Sequence, residues 1–156
     1  MKKIDIYNLI YKVENELSIP LSVNNDHEYE NWIFDETGVL PIYITNVYPE
    51  YENKKGTRYI VFQAMQPSGN MVSFRMPYDS SKDKHILPTN RTYALTVGRY
   101  AELKVKENDD STEKKSRKRS DKNRFFVEEI NVISDEKILK ILNEIDDEYV
   151  MEGGAA

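Results

Sequence analysis

The sequence holds no cysteine and only two histidines, His27 and His85, among 156 residues. That excludes a disulfide framework, a thiolate zinc site, a cysteine nucleophile and a multi-histidine metal centre. No apolar run approaches the roughly 18 residues that a membrane-spanning helix needs. The basic start, Met1-Lys2-Lys3, is soon interrupted by Asp5, Glu14 and Glu16. The unbroken apolar stretch of a secretory signal is therefore missing, and a cytoplasmic location is expected. No G-x-x-x-x-G-K, G-x-G-x-x-G, G-x-S-x-G or H-E-x-x-H motif occurs. Asp109-Asp110 and Asp146-Asp147 are carboxylate pairs, but adjacent side chains diverge, which suits neither acid–base work nor a metal. His27 and His85 fall in polar stretches and read as solvated. Catalysis, a cofactor and a metal are not expected.

What is present is aromatic and unevenly charged. Eleven tyrosines, five phenylalanines and one tryptophan set the chain apart from disordered sequences, and its length is that of one domain. The net charge of −5 is an average over very different segments. Residues 1–39 carry three lysines against eight acids, and residues 125–156 two lysines against nine acids. Residues 40–100 carry eight basic groups against four acids. Residues 114–124 carry seven basic groups against one acid. The ends are acidic and the middle is basic, which points to a polyanion or to an oppositely charged partner.

Hydrophobic spacing divides the chain into an N-terminal helix with an acidic extension (1–38), a β-rich body (39–133) and a C-terminal helix with a loose tail (134–156). Ile6, Ile10, Val13 and Leu17 form one stripe of a helix over residues 4–17, which Ile19-Pro20 ends. Residues 21–31 read as a polar loop, Trp32-Ile33-Phe34 as a short apolar piece and residues 35–38 as a turn. Strands are expected over 39–48, 57–66, 71–77, 91–106 and 124–133, from their Ile, Val, Tyr and Thr content and their alternation. Pro67-Ser68-Gly69-Asn70 is a hairpin turn. Gly98 interrupts the fourth strand and marks a bulge or bend. The apolar set Ile42, Ile44, Val47 slips by one at Thr45-Asn46, which predicts a bulge there. Ser134 caps the last helix, with Asp135 and Glu136 in its first turn. Ile138, Ile141, Leu142, Ile145 and Tyr149 form its apolar face.

Five strands without a βαβ rhythm argue for a mainly β, α+β protein: a five-stranded antiparallel OB-like barrel with a helix at each end. Four stretches carry a resemblance over about 90 residues, from Ile42 to Ile133. They are Gly56-Thr57-Arg58-Tyr59-Ile60-Val61-Phe62, Ser68-Gly69-Asn70-Met71-Val72-Ser73-Phe74, Tyr93-Ala94-Leu95-Thr96-Val97-Gly98-Arg99-Tyr100 and Phe125 to Ile133. This stretch resembles single-stranded DNA-binding proteins of the OB-fold type. The departure is that 38 residues precede a strand with which bacterial members begin.

The resemblance implies a surface on which bases stack and phosphates are neutralised. Basic candidates lie in the run Lys114, Lys115, Arg117, Lys118, Arg119, Lys122 and Arg124, between the last two strands. In an OB fold that loop helps clamp oligonucleotides. If Ile60, Phe62, Ala64, Val72, Phe74 and Met76 face the core, then Tyr59, Val61, Gln63, Met65, Ser73 and Arg75 face out. Tyr43, Arg58, Tyr59, Arg75, Tyr93, Arg99, Tyr100 and Phe125 are the candidates for stacking and phosphate contact. Phe125 and Phe126 face opposite sides, so one of the two lies outside the core. The expected ligand is single-stranded DNA, or RNA, in the replication or recombination of a phage or mobile element. The alternative is a protein-interaction module, a replication accessory factor or an inhibitor of a host enzyme, acting through its acidic helices. Those acidic ends also suit self-association, simple solvation, or a segment folded back over the basic groove to compete with nucleic acid.

Overall fold

The computed structural model describes residues 2–24, 30, 32–52, 58–77, 96–107 and 125–153, with the side chains of 49–52, 58, 77 and 146–153 left aside. Its elements are α1 (Lys3–Glu16), β1 (Ser22–Val23), β2 (Gly38–Glu52), β3 (Arg58–Met65), β4 (Met71–Pro77), β5 (Tyr100–Glu107), β6 (Phe125–Val132) and α2 (Asp135–Gly153). The class is mainly β with two helices, and the sheet runs in the order β4-β3-β2-β5-β6, all antiparallel.

The long strand β2 organises the sheet. Its first part pairs with β5, from Gly38↔Val105 to Tyr43↔Tyr100. Its second part pairs with β3, from Tyr43↔Met65 to Glu52↔Arg58. The changeover coincides with a register shift between Ile44 and Asn46, where the apolar pattern slips. On the other side of that point Gly98 donates its N–H to Ile44 at 2.8 Å, and Arg99 accepts from Ile44 N–H at 3.0 Å. Two residues thus oppose one, with Gly98 at φ +81°, the geometry of a glycine bulge. The strand expected over 91–106 accordingly starts at Tyr100. Thr96–Gly98 form a turn closed by Arg99 N–H on the Thr96 carbonyl at 3.0 Å, and residues 91–95 lie outside the described part.

Among the described residues there are six strands where five were expected. The β2–β5 ladder ends at Tyr43 and leaves one edge of Asn46 and Val47 open. Ser22–Val23, expected in a loop, fills that edge as a parallel strand. Asn46 holds it, donating from Nδ2 to Ser22 Oγ at 2.6 Å. The closed barrel is likewise an open sheet. β4 and β6, the two ends of the order, touch, but no ladder joins them among the described residues. Part of the reason is that the outer edge of β4 is already occupied: Ser73 N–H donates to the Trp32 carbonyl at 2.7 Å.

The inner face of the sheet holds the main core, including Ile42, Ile60, Phe62, Phe74, Leu103 and Ile130. Phe62 and Phe74 stack with ring centroids 5.2 Å apart, and Phe34 reaches the same core 6.1 Å from Phe74. A second cluster joins the helices to the sheet through Ile6, Ile10, Ile133 and Ile141, with Tyr100, Ile138, Leu142 and Ile145 packed against it. Ser134 caps α2 as expected, its Oγ accepting from Lys137 N–H at 3.2 Å. Among the described residues no helix is long and apolar enough to cross a membrane.

Candidate nucleic-acid interface

The β3–β4 ladder decides which side chains share a face. Its pairs are Tyr59↔Pro77, Val61↔Arg75, Gln63↔Ser73 and Met65↔Met71. Ile60, Phe62, Ala64, Val72, Phe74 and Met76 are buried inward, as the alternation requires. The outward face is not all open to solvent. Val61, Gln63 and Met65 are 1%, 3% and 5% exposed. Gln63 and Ser73 are covered by residues N-terminal to β2: Gln63 Nε2 donates to the Glu30 carbonyl at 2.9 Å, and Ser73 Oγ to the same oxygen at 2.7 Å. The set faces outward as expected, but Gln63 and Ser73 lie under a second layer rather than in solvent.

Among the described residues, no such cover reaches Arg75 at the far end of the face, beside Tyr59. The Arg75 guanidinium sits over the Tyr59 ring, 4.8 Å from its centroid. Arg75 is exposed and Tyr59 half-buried. A cation held against an aromatic face offers a base a stacking surface and a phosphate a charge from one site.

Tyr43 and Tyr100 stand apart from that pair. They are ladder partners with ring centroids 4.8 Å apart, and Tyr100 packs against the helical cluster. Tyr43 pairs with Met65, six residues along β3 from Tyr59, which at about 3.3 Å per residue is about 20 Å away. Burial raises both phenol pKa values above the usual range; for Tyr100, Tyr43 and then Glu14 add to the rise. Tyr100 thus packs at the helix-covered end, with the Tyr43 ring against it.

Arg99 is committed to the start of α2. Its Nη2 donates to the Ile133 carbonyl at 3.4 Å and lies 3.9 Å from Asp135. Phe125 is half-buried against the main core, and Phe126 is the exposed member of the pair. Phe126 faces Lys106 across the ladder, and Lys104 and Lys106 both reach Glu128, at 3.7 and 2.9 Å. The Lys106 hydrogen bond holds the Glu128 carboxyl below its ordinary range, with Lys104 contributing further. Sequence reasoning left the two phenylalanines open. The deciding signal is Val127, which fixes the inward parity at 41% exposure for Phe126.

The remaining candidates lie outside what is described: Tyr93, Lys114, Lys115, Arg117, Lys118, Arg119, Lys122 and Arg124 altogether, and Arg58 in its side chain. The basic run joins Glu107 to Phe125, which are partners in the β5–β6 ladder, so both its ends leave from one place. A shallow groove elsewhere is lined by Lys3, Lys137, Lys140, Glu102, Glu136 and Glu144. Its mixed charge does not suit a polyanion. No group of three or more metal-ligating side chains forms among the described residues. No family model matches the chain, and no curated protein matches it.

Proposed function

We propose that the chain binds single-stranded DNA in a sequence-tolerant, non-enzymatic way, on an OB-like barrel in which β2 to β6 take the places of the five barrel strands. The strand order, the bulged β2 shared between two partners and the contact of β4 with β6 support that arrangement. The observation that carries the functional reading is the Tyr59–Arg75 pair on the outward face of β3 and β4, an exposed guanidinium against a half-buried ring. Stacking there is worth about 1–3 kcal/mol per base, and it tolerates any base because each has a π-face. Lys114, Lys115, Arg117, Lys118 and Arg119 supply phosphate neutralisation, so affinity falls steeply as salt rises. The setting is the replication or recombination of a phage or mobile element.

The test is a fluorescence-anisotropy titration of a labelled dT oligonucleotide of about 30 nucleotides, its RNA counterpart and an equal duplex, at two salt concentrations. Tight, salt-sensitive binding to the single strand over the duplex supports the reading. No binding to any of them by folded protein at low salt overturns it.

A second reading, a protein-interaction module, is favoured by one observation. Ile4, Tyr7 and Tyr11 form an exposed apolar stripe along α1, on a helical layer rich in acids. Loss of function on reversing charge at Glu144, Asp146, Asp147 and Glu148, but not at 114–119, selects that reading.

A further inference from the structure

The polar pair Gln63 and Ser73 lies on the same outward face as Tyr59 and Arg75, one cross-strand pair beyond Val61 and Arg75. Its hydrogen-bonding capacity is spent on the chain itself. The Gln63 amide and the Ser73 hydroxyl converge on one acceptor, the Glu30 carbonyl oxygen, at 2.9 and 2.7 Å. Trp32 adds two main-chain contacts, its carbonyl accepting from Ser73 N–H at 2.7 Å and its N–H donating to Ser73 Oγ at 3.2 Å. Two donors meeting on one carbonyl oxygen match the two lone pairs that a nucleobase carbonyl also offers.

The cover is held in an asymmetric way. Phe34 is fixed in the main core and Asp35 accepts from Asn70 Nδ2 at 3.1 Å. Upstream of them Ile33 is exposed; the two hydrogen bonds accepted by the Glu30 carbonyl are ones a ligand carbonyl can replace, whereas the Trp32 main-chain contacts to Ser73 are given up. The covering residues belong to the acidic N-terminal third, whose charge disfavours a nearby phosphate chain.

We propose that Gln63 and Ser73 are a second base-binding subsite, which Glu30 and Trp32 occupy in the free protein and which a base carbonyl takes over when a single strand binds. The Glu30 carbonyl stands in for that of the base. The inference rests on the single-strand reading above. It makes the N-terminal stretch a competitor that confines the free protein to the Tyr59–Arg75 end and yields the rest of the face to ligand.

Trp32 is the one tryptophan of the chain, so its emission reports the cover directly. The full-length protein is saturated with a dT oligonucleotide of about 15 nucleotides, binding being followed separately by a label on the DNA. Acrylamide quenching of Trp32 and amide exchange at Ser73 are then read. The expected result is greater quenching of Trp32 and exchange at Ser73 faster by about tenfold or more. Binding with Trp32 and Ser73 equally or better protected overturns the inference and leaves the single-strand reading standing. No binding overturns both. An abasic oligonucleotide, which has phosphates but no base carbonyl, leaves Trp32 covered; if it uncovers Trp32 to the same extent, the base-carbonyl assignment is wrong.

Discussion

Gln66 follows the last residue of β3 at 1% exposure, and neither its amide nitrogen nor its side-chain oxygen has a hydrogen-bond partner among the described residues. A buried polar group left unpaired costs about 1–3 kcal/mol, so Gln66→Met, of similar volume, stabilises the protein by about 1 kcal/mol. Thermal unfolding should show a midpoint higher by about 2–4 °C. Arg75 is the opposite case, an exposed side chain whose contact is with the Tyr59 ring. Arg75→Ala should leave the unfolding midpoint nearly unchanged and weaken dT binding by about tenfold, since cation–π and phosphate contacts are each worth about 1 kcal/mol. Two exposed carboxylates carry a pH signature. The hydrogen bond from Lys106 lowers the Glu128 pKa, and that from Lys3 lowers the Glu144 pKa, from an ordinary value of 4.5. A pKa lowered in the folded state contributes stability above the unfolded pKa, and that stability is lost as pH falls through the folded one. The unfolding midpoint therefore drops on acidification below pH 4.5, and Lys3→Met with Lys106→Met flattens that limb. The slope is shallow because both pairs are exposed and screened.

Turns and caps set the elements. Gly98 sits in the left-handed region, and a Cβ there would meet Leu21 Cδ1 at 3.5 Å and the Tyr43 hydroxyl at 3.7 Å. The space is adequate; the backbone is not, and Gly98→Ala should cost about 1–2 kcal/mol, read as a lower midpoint in chemical denaturation. The bulge it makes was legible from a lone glycine in a strand-like stretch. So was the partner bulge at Thr45-Asn46, because a slip in a period of two has no other cheap explanation. β4 over 71–77 was legible for the same reason: Val72, Phe74 and Met76 alternate cleanly and all are buried. β1 was not. Two residues in a polar stretch have no period, and Ser22 and Val23 form a strand only because β5 stops short on β2.

At the scale of the molecule the outward sheet face is divided lengthwise. The helical layer takes the end with Tyr100, the residues before β2 take Gln63 and Ser73, and Arg75, exposed among the described residues, lies against Tyr59 at the other end. The helices are integral to this body, because Ile133 and Tyr100 of the sheet side share a cluster with Ile6, Ile10 and Ile141. Removing residues 135–156 uncovers that cluster. The shortened chain should unfold at a markedly lower temperature by circular dichroism, at a cost of several kcal/mol from about 1.5–3 kcal/mol per uncovered large apolar side chain.

The sequence by itself determined the inward pattern of β3 and β4, both bulges, the Ser134 cap and the class, since each rests on periods of two and 3.6 residues or on one residue's local backbone or side-chain chemistry. It also placed Tyr59 and Arg75 on the outward face. It did not determine how much of that face is free. Val61, Gln63 and Met65 alternate in the same way whether water or another layer lies over them. Over Gln63 and its partner Ser73 the layer comes from Glu30 and Trp32, more than thirty positions away along the chain. Only the tertiary structure brings those residues together, because a strand's parity says which side a residue faces and nothing about what lies there.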